Sequence, residues 1–228
     1  MNTRKGWKMY SVSMTRYSRS TFIDVLESSC FCLDKDILNH ALIEKLINGT
    51  LKEEQFKLFI RQQAWLWYEI SQQLISICRF KHATYIKPLF LKIANYSLIE
   101  ADDLSNQLGK FKISSYELLP VCKEYINFLS TLEDKTLFLT AILPRFWFKA
   151  QLRQKLVELN LFKHPYKRYI KSCFYHDARE PIIGIINSLD TQFRTIPKEQ
   201  KLTIKQVFSE AAAHEWELLN QIYNLTSI

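Results

Sequence analysis

The stretch that decides the fold is Phe208-Ser-Glu-Ala-Ala-Ala-His-Glu-Trp-Glu-Leu-Leu-Asn-Gln-Ile-Tyr223. Read at helical spacing, it carries one apolar stripe, and Glu215 falls inside that stripe. A carboxylate on the core side of a helix is costly unless it is paired, hydrogen-bonded or neutralised. The pattern therefore predicts a long C-terminal helix. Its buried Glu215 is either ion-paired with an Arg or Lys of another helix, or is a pocket acid suited to proton transfer.

The composition of the whole chain is that of a helical globular protein. The chain has 228 residues, 47% of them hydrophobic, with only four Gly and six Pro. So few turn residues favour long helices joined by short loops, and the length suffices for one large domain with a full core. We count eight or nine helical segments, no credible strand and no internal repeat, which predicts an all-α, single-domain protein.

The first twenty residues differ from the rest. Residues 1–20 contain five basic side chains and no acidic one. We expect this basic tail to be poorly ordered, with the helical domain covering residues 21–228. The tail lacks the apolar core of a secretory signal. Its composition is compatible with an organelle-targeting peptide, or with an upstream extension if Met14 is the true start.

The net charge is +8, but it does not come from one basic block. The lysines are spread along helix faces, and no nucleic-acid-binding motif is evident, so we expect a solvated helical surface and no nucleic-acid partner. No apolar run reaches the length of a membrane span, and we expect no membrane association. Five cysteines without a regular framework indicate a reducing compartment, and we expect a cytoplasmic protein.

Two internal helices carry polar residues where apolar ones are expected. The segment from about Leu51 to Arg79, which we expect Thr50 to cap, places Gln63 in its apolar stripe beside Trp67. The ordinary interpretation is a packed core with a hydrogen-bonded amide. An amide ringed by aromatic side chains is also how a flat, polar-edged ligand is held.

The second helix begins after Asp134 and contains Pro144, which should kink it. Arg145, Trp147 and Lys149 follow the proline, and Arg145 and Lys149 share a face because they are four residues apart.

Several short motifs, in order and at fitting spacing, resemble the TenA (thiaminase II) family of the haem-oxygenase-like helical fold. They cover about Thr21 to Tyr223, nearly the whole chain. They are Ile37-Leu-Asn-His, Gly49-Thr-Leu, Phe59-Ile-Arg-Gln-Gln, Leu143-Pro-Arg-Phe-Trp, Pro165-Tyr-Lys-Arg-Tyr-Ile, and Glu215 with Tyr223 eight residues on. The resemblance implies a haem-oxygenase-like bundle and a homo-oligomer.

The resemblance also implies a chemistry. Such proteins are similar to hydrolases that cleave a C–N bond at the methylene of a substituted aminopyrimidine, using a Cys nucleophile, an Asp that holds the pyrimidine, and a Glu that moves protons. By position, Glu215 matches the Glu, Gln63 stands for the Asp and Arg145 for the Cys. Lys149 and Cys173 stand at two Tyr positions. An arginine is no nucleophile, so the usual centre is altered.

Three functions remain open from the sequence. In the first, the chain is a diverged hydrolase of thiamin pyrimidine metabolism. Glu215 is then the catalytic residue, and the substrate is held by Gln63, Trp67, Arg145, Trp147, Lys149 and Cys173. Cys173 could then supply a displaced thiol, if a base or positive charge activates it. In the second, the pocket is non-catalytic and binds an anionic small molecule or a protein partner.

In the third, the pocket holds a metal, as in other branches of the fold. That requires paired Glu and His ligands, and the positions after Glu100 read Ala101-Asp102-Asp103, without a His at ligand spacing. We expect no metal and no cofactor.

Overall fold

The computed structural model describes residues 22, 37–79, 86–109, 117–175 and 178–225. These residues contain no strand and eight α-helices. The helices are α1 (Ala41–Ile47), α2 (Glu53–Cys78), α3 (Lys87–Gln107), α4 (Pro120–Thr131), α5 (Lys135–Leu156), α6 (Lys167–Ser172), α7 (Arg179–Phe193) and α8 (Lys198–Leu225). The predicted all-α class is therefore confirmed. The expected basic tail and the expected first helix lie outside the described residues, except for Phe22.

Helix α5 lies at the centre of the bundle. Every residue from Phe138 to Lys149 is buried, so this stretch is enclosed on all sides. Asp134 fixes the start of α5, because its carboxylate accepts hydrogen bonds from the backbone N–H groups of Thr136 and Leu137. Pro144 lies inside α5, as the sequence predicted.

The other helices surround α5 in a way that brings distant parts of the chain together. Helix α8 packs against α1, α2, α4 and α5, and α7 packs against α3 and α5. The most extensive contact joins α2 and α3. The predicted core stripe of α8 is buried, including Glu215. Among the described helices, none is both long and apolar enough to cross a membrane.

The predicted cap of α2 is wrong. Thr50 does not cap this helix, which begins at Glu53 with Lys52 in the cap position and no side-chain capping bond. The backbone N–H groups of Thr50 and Leu51 both donate to the carbonyl of Lys45. Thr50 therefore belongs to the end of α1, where these bonds satisfy a carbonyl that the helix leaves open.

Gly49 makes this junction possible and gives a first testable prediction. Its φ is +69°, and a Cβ added there would lie 2.9 Å from Pro165 Cδ. We expect Gly49→Ala to lower the free energy of unfolding by about 3 kcal/mol, from the left-handed backbone and the overlap together. Gly109 is the matched control, because its φ is +86° and, among the described residues beyond its chain neighbours, no atom lies within 4 Å of the added Cβ. Gly109→Ala should cost about 1 kcal/mol. If urea unfolding showed the same loss of stability in both variants, the overlap with Pro165 would not contribute.

Candidate functional site

The centre of the site is the guanidinium of Arg145, which joins three helices. Nη1 of Arg145 donates to both carboxylate oxygens of Glu215 on α8, at 2.8 and 3.1 Å. Nη2 donates to the side-chain Oε1 of Gln63 on α2 at 2.6 Å and to the backbone carbonyl of Gln63 at 3.3 Å. Arg145 and Glu215 are each only 1% exposed. Of the two alternatives for Glu215, the structure shows the ion pair with a cation of another helix.

An aromatic side chain completes the surroundings of this ion pair. The guanidinium carbon of Arg145 lies 4.8 Å from the ring centre of Trp67, within range of a cation–π interaction. Two donors of the cluster are left over. Nε of Arg145 and Nε2 of Gln63 are buried without a hydrogen-bond partner among the described residues. The cluster therefore has spare donors, whereas both oxygens of Glu215 are already occupied.

A second buried ion pair lies one helical turn further along α5. Lys149 Nζ lies 2.7 Å from Oε2 of Glu100 on α3, and the hydroxyl of Tyr96 donates to the other Glu100 oxygen at 3.1 Å. The same ammonium donates to Sγ of Cys173 at 3.7 Å and lies 5.9 Å from the ring centre of Tyr169. Arg145 and Lys149 thus each use a different carboxylate, and the two pairs together carry no net charge.

These surroundings decide the protonation of Lys149 and Cys173. Burial alone would lower the pKa of Lys149, but Cys173 and Glu100 outweigh it, and the pKa of Lys149 is raised. Burial raises the pKa of the Cys173 thiol, and the nearby Lys149 only partly offsets this. The pKa of the Cys173 thiol thus stays above that of a free cysteine, even beside the ammonium of Lys149. A protonated thiol is a poor nucleophile.

Little space remains between the two ion pairs. The cavity that touches Gln63, Trp67, Arg145, Lys149 and Tyr169 has a volume of about 10 Å³. That volume suffices for about one water molecule. Pockets for small-molecule ligands usually have about 300–1,000 Å³. The guanidinium and the ammonium thus fill the space in which a ring would have to lie.

The structure brings together most, but not all, of the residues that the sequence singled out. Gln63, Trp67, Arg145 and Lys149 line this small cavity, with Glu215 and Cys173 each bonded to one of them. Trp147 does not join them. It lines a separate apolar cavity with Pro144 and Phe208, because a residue two positions from Arg145 points to the far side of a helix. Trp147 Nε1 is buried there without a hydrogen-bond partner among the described residues.

The sequence analysis considered Glu100 only as a metal ligand and did not single out Tyr96, yet both lie at the site. They lie four residues apart on α3, next to the buried residues Ile93 and Leu104 of the same helix. The helical periodicity that identified Glu215 would also have identified Glu100, because Glu100 is a carboxylate on a buried helix face. In the described residues, no group of three or more His, Cys, Asp or Glu side chains could hold a metal ion.

The buried thiols and phenols near the site predict that the protein loses stability in alkali. Burial raises the pKa of Cys122 from the usual 9.0 to about 12, and it also raises the pKa of Tyr125 and Tyr169. A raised pKa favours the fold below the unfolded-state pKa, and that benefit is lost as the pH rises towards the folded-state pKa. The raised pKa of Cys122 alone should lower the free energy of unfolding by about 2 kcal/mol between pH 7 and 10.5. Urea unfolding across this range tests this.

Cys122→Ala is the matched variant for this pH experiment. It should unfold more easily at pH 7 because it leaves a small space, but its stability should fall less steeply in alkali. An identical pH slope in the wild type and the variant would show that the Cys122 thiol does not contribute.

Two relatives of known name match the chain by sequence. They are the thiamine biosynthesis multifunctional proteins ThiED of Corynebacterium glutamicum and Corynebacterium efficiens. The first is 24% identical over an alignment 184 residues long, which covers 78% of this chain and 24% of that protein. The second is 24% identical over an alignment 194 residues long, which covers 82% of this chain and 26% of that protein. The chain thus spans about a quarter of the length of these relatives. No protein-family profile matches it.

Solved structures match the fold. A TenA homologue from Pyrococcus furiosus has a TM-score of 0.75 and 17% identity, covering 89% of this chain and all of its own. A TenA homologue from P. horikoshii OT3 gives 0.69 and 17%, covering 89% and 98%. A TenA family transcription regulator from Silicibacter sp. TM1040 gives 0.75 and 14%, covering 90% and 97%. These similarities confirm the predicted resemblance to the TenA (thiaminase II) family, and the chain has the all-α fold of the TenA homologues.

Proposed function

We propose that this TenA-like protein acts in thiamin metabolism as a non-hydrolytic binding protein. The observation that carries the proposal is the position of Arg145, whose guanidinium lies between Glu215 and Gln63 and bonds to both. The names of the two ThiED relatives support the connection to thiamin.

Hydrolysis of the kind that the resemblance implies needs a nucleophile at the methylene carbon and an acid for the leaving amine. By the resemblance, Arg145 takes the position of the family's Cys, and an arginine remains protonated. Glu215 accepts hydrogen bonds from Arg145 on both oxygens, so its carboxylate is engaged in a buried ion pair. Cys173 is bonded to Lys149, and the raised pKa of its thiol argues against its use as a replacement nucleophile.

Binding of a pyrimidine at this position is also opposed by the packing. The 10 Å³ cavity would have to open by moving Arg145 or Lys149, and each movement would break a buried ion pair. Such a break costs several kcal/mol unless the ligand supplies an equivalent partner. We infer that the two ion pairs hold the helices together and that ligand recognition takes place elsewhere on the protein.

An ammonia-release assay tests the proposal. Purified protein is incubated with an aminomethylpyrimidine and with a formylaminopyrimidine, beside a TenA-family hydrolase that has the Cys nucleophile. We expect the hydrolase to release ammonia or formate. The wild type and Glu215→Gln should both stay at the rate of the protein-free sample. Release by the wild type that is lost in Glu215→Gln would overturn the proposal in favour of a diverged hydrolase.

A thermal-shift screen tests the binding half of the proposal. We expect a phosphorylated hydroxymethylpyrimidine to stabilise the protein and its unphosphorylated form to have no effect, since the chain is strongly basic. Stabilisation by neither compound would contradict a role in binding thiamin-pathway phosphates. The proposal also includes a cytoplasmic homo-oligomer. The free thiols of Cys78, Cys122 and Cys173 are consistent with a reducing compartment.

A further inference from the structure

A basic groove lies on the surface between the end of α3 and the short helix α6. Its volume is about 430 Å³, which is within the range of about 300–1,000 Å³ that small-molecule sites occupy. The groove is separate from the buried ion pairs. Helix α6 lies between them, because Tyr169 and Ile170 face the core while Lys167, Arg168 and Lys171 are exposed.

The charge of this groove is mainly positive. Lys167, Arg168 and Lys171 line it, and Asp103 is its acidic residue. Arg168 donates one hydrogen bond to the carbonyl of Asn106 near the end of α3, which is an ordinary use of a cation at a helix C-terminus. Neither Lys167 nor Lys171 has an ion-pair partner within the described residues. No ion pair within the described part of the chain therefore competes with a ligand for these two ammonium groups.

The spacing of these two lysines is unfavourable without a ligand. Lys167 and Lys171 are four residues apart, so they lie on the same face of α6, where like charges repel each other. Helix α6 has only six residues and little stability of its own to offset that repulsion. An anion bound between the two ammonium groups would turn the repulsion into attraction.

An aromatic side chain lines the same groove. Tyr175 follows α6 and is 75% exposed, which is unusual for so large a ring. An exposed ring beside a basic cluster suits a ligand that has both an aromatic part and an anionic part, because the flat faces can stack while the anion pairs with the cations.

We propose that this groove binds a phosphorylated aromatic small molecule. Lys167, Lys171 and the remaining donors of Arg168 hold the phosphate, and Tyr175 stacks on the ring. The volume and the confinement of the charges to one groove favour a small ligand over a nucleic-acid strand, which would need a basic stripe along its backbone. This inference does not depend on whether the central pocket hydrolyses anything.

Isothermal titration with three simple probes tests the groove. ADP has both an aromatic part and an anionic part, inorganic pyrophosphate has only the anionic part, and adenosine has only the aromatic part. We expect ADP to bind most tightly, pyrophosphate about fivefold more weakly, and adenosine without measurable heat. The double variant Lys167→Gln/Lys171→Gln should weaken ADP binding by about tenfold or more. Tyr175→Ala should make ADP bind no more tightly than pyrophosphate.

The matched control is Lys123→Gln/Lys198→Gln, which removes the same charge from exposed positions on α4 and α8. It should bind ADP as the wild type does. Equal losses in both double variants would overturn the proposal, because the effect would then be one of net charge. Absence of ADP binding, or binding of a single-stranded oligonucleotide but not of ADP, would overturn it as well. Because no hydrolysis is measured, these results are independent of the ammonia-release assay.

Discussion

Replacing Arg145 by methionine is expected to lower the free energy of unfolding by about 3–5 kcal/mol, which is the usual cost of removing one partner of a buried ion pair. The variant leaves the Glu215 carboxylate, which is 1% exposed, without its cation. It also leaves Oε1 of Gln63 without the donor that lies 2.6 Å away in the wild type. Urea unfolding followed by circular dichroism measures the difference.

A double variant distinguishes the contribution of the ion pair from the cost of leaving one charge buried without a partner. In Arg145→Met/Glu215→Met both charges are removed and the space is filled by apolar side chains. We expect much of the lost stability to return, because no unpaired charge remains. Arg153→Met on the same helix is the control. Arg153 is only partly buried and donates to the carbonyl of Phe174, so it should cost about 1 kcal/mol.

The result bears on what Arg145 is for. If Arg145→Met were as stable as the Arg153 control, the guanidinium would not be held mainly for packing, and a ligand-binding role in the central cavity would regain support. If the double variant were less stable than either single variant, the two side chains would contribute through contacts other than their ion pair. In either case ADP binding in the surface groove should be unchanged, because α6 separates that groove from the pair.

The sequence alone predicted the faces of the helices but not how the helices turn towards each other. Glu215 was identified because helical periodicity places it in an apolar stripe, and that depends only on local spacing. The resemblance put Glu215 and Arg145 in one pocket, but the sequence left open whether Glu215 is ion-paired and with which cation. The bond from Arg145 to Gln63 has a different basis. It depends on the rotation of α2 against α5, which no local pattern determines.

Two differences between the sequence analysis and the structure have equally specific causes. Thr50 satisfies the local pattern of a helix cap, but its N–H is used by the carbonyl of Lys45 in the preceding helix, and that bond depends on how the chain turns at Gly49. Trp147 was grouped with Arg145 because the two are close in sequence. At 3.6 residues per turn, a separation of two residues places side chains on opposite sides of the helix.

Replacing Lys149 by methionine is expected to cost about 3 kcal/mol, the second large effect in this site. The Glu100 carboxylate is only 3% exposed on its side chain, and without Lys149 its remaining partner among the described residues is the hydroxyl of Tyr96. The double variant Lys149→Met/Glu100→Gln should recover part of the loss, since an amide is far easier to bury than an unpaired carboxylate. Unfolding in urea at pH 7 measures all three proteins.

The pH dependence of Glu100→Gln gives the sharper test of this second pair. In the wild type the pKa of Lys149 is raised, so its contribution to stability is present below pH 10 and is lost only as the pH rises beyond that. In Glu100→Gln the buried ammonium has lost its carboxylate, and burial should hold its pKa below the unfolded value. A lowered lysine pKa reverses the effect of pH on stability: the unfolded chain then binds the proton more tightly, so stability rises with pH. Relative to the wild type, Glu100→Gln should therefore be least stable at neutral pH and should approach the wild type between pH 8 and 10. A constant difference between the two proteins across this range would show that Glu100 does not determine the charge state of Lys149, and that Cys173 and Tyr169 suffice to hold the ammonium in the core.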